Sequence, residues 1–260
     1  MKNKHENTVA DFFDTLAANY SSRYSESRPF LRFFHRQRME AALRVLTATS
    51  GKVWDIGAGT GVLGKALVIR APETKYFASD ISREMQRVSG LPTARYFHGS
   101  AREAPARFRG FSAVFMLGVT TYMSRSDLSE LLHRTLPARL QPDGQLILTF
   151  THREGLDWRL RRPLRGFLRL LRRNKYIAGQ DFSVRAYSLA EAEALMRPHF
   201  TVSKVIFLNH TLPFLNRLFP RMSVRLAHRI FASESDFLQS FLSSDFLISA
   251  VRTDSPPLSE

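Results

Sequence analysis

From Thr8 to Tyr20 the apolar positions Val9, Phe12, Phe13, Leu16, Ala17 and Tyr20 recur at helical spacing, and the pattern predicts an amphipathic helix with one buried face. A polar link, Ser21 to Arg28, carries Tyr24. Pro29 opens a second helix with Leu31, Phe34, Ala42, Leu43 and Leu46 as its apolar stripe, and Thr49-Ser50-Gly51 ends it. Short apolar runs then alternate with helical patterns. Strands are expected at Lys52–Ile56, Lys75–Ser79, Ala94–His98, Phe111–Leu117 and Gln145–Phe150. Helices are expected from Thr60 towards Arg70, over Ser82–Val88 and over Ser126–Leu140, with a helical turn at Ser100–Ala104 and a turn at Gln141–Gly144. Phe111–Leu117 is almost wholly apolar, as a strand buried on both faces of a parallel sheet should be. The repetition predicts a doubly wound α/β sheet, whose ligands sit at the carboxyl ends of its strands.

The regularity breaks twice. Residues 151–180 place Leu156, Leu160, Leu164, Phe167, Leu168 and Leu171 among arginines. Ser188-Leu189-Ala190-Glu191 is a capping box that starts a helix to Arg197, and Phe200–Leu208 is the next strand. Residues 209–235 form a second basic, amphipathic insert with Leu215, Leu218, Met222, Leu226 and Ile230. Phe246–Val251 is the last strand.

Composition narrows the function classes. The 260 residues carry a net charge of +15 and no cysteine. Disulfides, thiolate metal sites and a cysteine nucleophile are thereby excluded, and no His/Asp/Glu cluster has metal-ligand spacing. The excess of arginine favours an anionic partner, either a membrane surface, a phosphorylated substrate or nucleic acid, and it also fits a merely basic solvated surface. The polar N-terminus lacks the apolar stretch of a signal peptide, and no run of about eighteen apolar residues predicts a membrane span. A cytoplasmic protein is expected, with a peripheral place on the inner face of the membrane as a further expectation.

The candidate chemistry lies at Val53-Trp54-Asp55-Ile56-Gly57-Ala58-Gly59-Thr60-Gly61, a strand running through a glycine turn into a helix. Glycine permits the positive φ of such a turn and close approach of a ligand to the backbone. Gly59-x-Gly61-x-x-Gly64 fits a dinucleotide fingerprint. The longer run Asp55-x-Gly57-x-Gly59-x-Gly61 resembles the first motif of the class I S-adenosylmethionine-dependent methyltransferases.

That resemblance implies a seven-stranded, mostly parallel sheet closed by an antiparallel C-terminal hairpin. It implies a helical lid over residues 1–49, the methyltransferase domain over 50–252 with inserts at 151–180 and 209–235 capping the acceptor, and a tail over 253–260. S-adenosyl-L-methionine is the implied cofactor. Asp55, Gly57, Ala58, Gly59, Thr60 and Gly61 would form its loop. Asp80 would accept hydrogen bonds from both ribose hydroxyls, and its other reading is an N-cap for the next helix. Ile81 would pack on the adenine, and Ser100 and Ala101 would lie where the family places an adenine-contacting acid. Leu117 would border the transfer site, and Tyr20, with Tyr24, would close the lid, while Phe12, Phe13 and Leu16 read better as packing.

Leu140-Gln141-Pro142-Asp143-Gly144 resembles the family's turn before the fifth strand, with Asp143 in place of a glycine. His152, Tyr122 and His210 are the candidate catalytic groups, none of them compelling. Leu117-Gly118-Val119-Thr120 lacks the Asn/Asp-Pro-Pro-Tyr/Phe run of amino methyltransferases. The function implied is methyl transfer, with oxygen on a small or lipid-like acceptor favoured. An RNA methyltransferase, a nicotinamide oxidoreductase and a non-catalytic nucleotide-binding or membrane-associated protein of the same fold stay open.

Overall fold

The computed structural model describes residues 4–20, 27–160, 184–212 and 215–253. Its sheet has seven strands: β1 (Ser50–Ile56), β2 (Glu73–Asp80), β3 (Tyr96–His98), β4 (Phe111–Met116), β5 (Leu140–Thr151), β6 (Phe200–Leu208) and β7 (Asp245–Arg252). The spatial order is β3-β2-β1-β4-β5-β7-β6. The first five run parallel, and β7 is antiparallel to both β5 and β6. The strand order reverses at β1 and β4, so the carboxyl ends of these two strands flank the switch point where doubly wound sheets bind ligands.

Alternation along the strands builds a core on each face. Trp54, Val114, Met116, Leu146 and Leu148 enter one cluster. Their neighbours Val53, Ala113, Phe115 and Ile147 enter the other. All nine are fully buried, which is why these strands read as unbroken apolar runs.

Two long helices precede the sheet, α1 (Lys4–Tyr20) and α2 (Pro29–Val45). Between the strands lie α3 (Val62–Arg70), α4 (Arg83–Ser89), α5 (Arg125–Glu130) and α6 (Leu136–Arg139); α7 (Leu189–Met196), α8 (Leu215–Leu218), α9 (Pro220–Phe231) and α10 (Asp236–Leu242) complete the series. The capping box read at Ser188 and Glu191 is present on α7, whereas the N-cap of α4 is Ser82, accepting from the Met85 N–H, and not Asp80.

Three features differ from the pattern. The helix expected over 126–140 is α5 and α6 joined through one wide π turn, Leu131–Thr135. The turn expected at Gln141–Gly144 is a bulge inside β5: Phe111 pairs with Leu140, Ala113 with Gln145, and Asp143 takes φ 57°. The second insert is followed by an unanticipated helix, α10, capped by Ser235 accepting from the Leu238 N–H. The first insert is described only to residue 160, helical from 156; the rest of it to 180, Tyr24 and the tail from 254 lie outside the described residues. No helix among the described residues is long and apolar enough to cross a membrane.

Candidate active site

The glycine turn after β1 is shaped by what its glycines lack. Gly57 sits at φ 72°, and a Cβ there would lie 2.3 Å from Val119 Cγ2. The N–H groups of Gly57 and Ala58 both donate to the Ser79 carbonyl, at 2.7 and 3.1 Å, which ties the turn to the end of β2. Gly61, at φ 73°, is the left-handed residue from which α3 starts.

Asp80 closes β2 beside this turn. Its Oδ2 accepts from the Gly59 N–H at 2.8 Å and its Oδ1 from the Ser82 N–H at 2.9 Å. Each oxygen keeps a further lone pair. Burial, chiefly, pushes Asp80 up to about 6 against the pull of those backbone donors. Asp55 lies deeper. The Tyr76 hydroxyl donates to its Oδ2 at 2.7 Å, and burial raises it to about 7 despite that bond. Tyr76 can reach it because Gly64 presents no side chain: a Cβ at Gly64 would meet the tyrosine ring at 2.6 Å.

These groups open onto a cavity of about 500 Å³. Gly57, Ala58, Gly59, Thr60, Asp55, Asp80, Ile81, Leu117, Tyr20 and Tyr122 all line it. Gly61, Ser100 and Ala101 do not. Ala101 packs in the core, and Ser100 starts a short 3-10 turn whose Glu103 N–H donates back to its carbonyl at 2.9 Å. The two histidine candidates are also placed elsewhere. His152 is 1% exposed, its ring 5.5 and 5.4 Å from those of Phe207 and Phe246, with Nδ1 2.8 Å from Ser243 Oγ. His210 is fully buried, and burial pushes it down to about 4. Neither lines the cavity, so neither is positioned as a base there.

The opposite wall comes from residues the sequence reading treated as packing. Phe13 of α1 lines the cavity and meets Tyr122 edge-on at 5.2 Å. Asp14 docks α1 on α4, its Oδ1 accepting from Ser82 Oγ and from the Glu84 N–H at 3.1 Å. From α2 come Leu31, Phe34, His35, Arg38 and Met39. His35 and Arg38 were missed, although a signal existed: with Leu31, Phe34 and Ala42 they fall on one helical stripe, and polar groups on an apolar stripe mark a lined site.

Residues 53–144 match the family model of a methyltransferase domain. The chain has the fold of the class I methyltransferases. The likeness to solved methyltransferases spans most of the chain. A protein from Thermotoga maritima described as a possible histamine N-methyltransferase superposes with a TM-score of 0.60 at 17% identity, over 94% of this chain and 99% of that one. A cyclopropane synthase from Mycobacterium tuberculosis gives 0.61 at 14% identity, over 96% and 99%. The N-methyltransferase NodS from Bradyrhizobium japonicum, solved with S-adenosyl-L-homocysteine, gives 0.55 at 15% identity, over 95% and 100%. A search of curated protein sequences gave no match. Since these neighbours include nitrogen methylation and cyclopropane formation, the methyltransferase fold by itself does not select the acceptor atom.

The residues present fit the methyltransferase cofactor, S-adenosylmethionine. Asp80 has one lone pair free on each oxygen, which suits two vicinal hydroxyls. At Gly59, which lines the cavity, a Cβ would meet nothing nearer than 3.9 Å, so the turn's backbone is open to close approach there.

Proposed function

We propose that this methyltransferase moves the methyl group of S-adenosylmethionine to an oxygen on a small or lipid-like acceptor. The observation that carries the reading is one continuous cavity in which the glycine turn and Asp80 face an apolar wall from α1 and α2. Its size suits a small molecule or part of a lipid. When bound, the cofactor supplies a methyl group already activated on a sulfonium. The chain's own task is then to align the acceptor for in-line attack and to exclude water. Phe13, Leu31, Phe34 and Met39 supply a dry wall. Asp80 holds the ribose, and Asp55, backed by Tyr76, keeps the floor under the turn acidic. The loop after β4, Leu117-Gly118-Val119-Thr120, borders the transfer point without the Pro-Pro pair of amino methyltransferases.

The surface beside the cavity supports a lipid source for the acceptor. Leu218, Phe219 and Met222 are exposed at 69, 57 and 51%, next to the exposed Arg221 and Arg225, while Asn216 of α8 lines the cavity. An apolar corner flanked by arginines suits the surface of an anionic bilayer.

Labelled S-adenosylmethionine supplied with separated lipid, small-molecule and RNA fractions tests the reading. Label in the lipid or small-molecule fraction, on a base-labile or ether oxygen, is expected. Label in RNA alone would overturn it. Liposome flotation tests the surface, and equal failure to bind neutral and anionic vesicles removes the membrane.

A further inference from the structure

Arg38 projects from α2 to the acceptor side of the cavity, beyond the cofactor turn. Its side chain is only 13% exposed, and its Nη2 donates to Asp245 Oδ2 at 2.6 Å. Asp245 opens β7 and pairs with Thr151 across the sheet, so the guanidinium sits above β5 and β7. Phe34 lies under it, 4.8 Å from Cζ to the ring centroid. Gly118, just after β4, makes room for it: a Cβ at Gly118 would be 2.3 Å from Nη1.

A structural ion pair does not account for this arrangement. Burying such a pair costs about as much as it returns, and apolar residues would fill the site as well. Of five N–H donors, one is matched, by Asp245; Nε is enclosed out of a ligand's reach, and no hydrogen bond engages Nη1 on the cavity side. Buried donors left unmatched at a cavity are expected to serve a ligand. Asp245 Oδ2 also accepts from Asn209 Nδ2 at 2.7 Å, so Arg38 is not that oxygen's one partner. Among the described cavity-lining residues Arg38 is the sole lysine or arginine, while Asp55, Asp80, Asp157 and Asp245 are acids. A guanidinium packed against the Phe34 ring and fixed at one end by Asp245 is preorganised for a planar anion.

We propose that Arg38 is the anchor for a carboxylate on the methyl acceptor, so that the acceptor is an apolar acid. The inference rests on the acceptor occupying the cavity assigned to it above. The carboxylate meets the guanidinium beside Gly118, and its apolar body lies along Phe34, Leu31 and Phe13.

The test is calorimetric titration of full-length protein saturated with S-adenosylhomocysteine. The probes are alkyl and aryl carboxylic acids of graded length, each paired with its neutral amide. Wild type should bind the best acid roughly tenfold or more tightly than its amide. Arg38→Met leaves Asp245 buried beside an apolar side chain, so Arg38→Met/Asp245→Asn, which removes both charges, is titrated alongside it. The double variant should bind acid and amide alike while keeping its affinity for S-adenosylhomocysteine. Acid and amide binding wild type equally, or no acid binding at all, overturns the proposal. A double variant that loses S-adenosylhomocysteine while its preference for acid persists also overturns it, by placing the guanidinium on the cofactor's own carboxylate. Failure of wild type to bind S-adenosylhomocysteine would sink the methyltransferase reading itself, and this inference with it.

Discussion

Replacing Asp80 with asparagine probes the cofactor site at its most exactly defined point. The two carboxylate oxygens are already held by the Gly59 and Ser82 N–H groups, at 2.8 and 2.9 Å. Each has one lone pair left for a ribose hydroxyl. A hydrogen bond to a charged acceptor contributes about 1.5–3 kcal/mol. Asparagine retains one oxygen, uncharged, and turns its amide N–H₂ towards a backbone N–H that needs an acceptor. One charge-assisted bond is lost and the other weakened, so S-adenosylhomocysteine should bind about 2–4 kcal/mol less tightly, roughly 30- to 1,000-fold in Kd.

The free protein should respond differently. Burial holds Asp80 up at about 6, so the folded state resists the ionised form; relief of that charge offsets the backbone N–H left without an acceptor, and the melting temperature at neutral pH should change little. A second signature separates ribose binding from a capping role. The ionised carboxylate is the form with lone pairs for both hydroxyls, so wild-type affinity should fall about tenfold per unit as pH drops below about 6, while the asparagine variant stays flat. Calorimetric titration across that range reads both quantities. A Kd for Asp80→Asn within about threefold of wild type at neutral pH would remove Asp80 from the ribose.

Two further changes bear on the floor of the site. Asp55 is raised from an ordinary 3.8 to about 7 by burial, so it contributes stability that is fully present below about pH 3.8 and lost as pH rises through about 7; Asp55→Asn should therefore gain on wild type above that point, by as much as about 4 kcal/mol, and lose the gain in acid, with parallel thermal melts as the check. Gly64→Ala should destabilise by about 1–3 kcal/mol, because the new methyl meets the Tyr76 ring at 2.6 Å in a packed core and this outweighs alanine's helix propensity; a raised melting temperature would refute that packing.

The cofactor half of the site was legible because its chemistry is local. Asp55, the three alternate glycines and Asp80 sit at strand ends, and strand ends follow from short apolar runs bounded by glycine and polar residues. The sheet followed for the same reason. The acceptor half was not legible because its wall is assembled over distance. Phe13 on α1 and Phe34 on α2 share the cavity with Tyr122, yet in the sequence each of these two phenylalanines is one more aromatic on an apolar stripe. Amphipathic periodicity reports which face turns inward, and it cannot distinguish a face that meets a core from one that meets a hole. His152 and His210 lie away from the cavity for the converse reason: both follow strand ends, but the antiparallel β6–β7 pair folds Phe207, Phe246 and Ser243 around His152, and α9 brings Phe231 6.0 Å from His210.

The two acids at the turn bear on the choice between the dinucleotide and methyltransferase readings of the glycines. Gly59-x-Gly61-x-x-Gly64 satisfies both, since in either case the last glycine serves close packing of helix on strand, as Gly64 does here against Tyr76. Asp55 and Asp80 do not serve both. They line the same cavity, and Asp80's charge adds to burial in raising Asp55. A pyrophosphate brought to this turn would add negative charge beside two carboxylates already held at about 7 and about 6, forcing protons onto both. A ligand with a sulfonium and an ammonium group does the reverse: it favours the ionised forms, and with them the lone pairs that Asp80 offers a ribose. Cofactor charge and ribose recognition thus reinforce one another for S-adenosylmethionine and oppose one another for a dinucleotide, a distinction that the glycine spacing alone does not make.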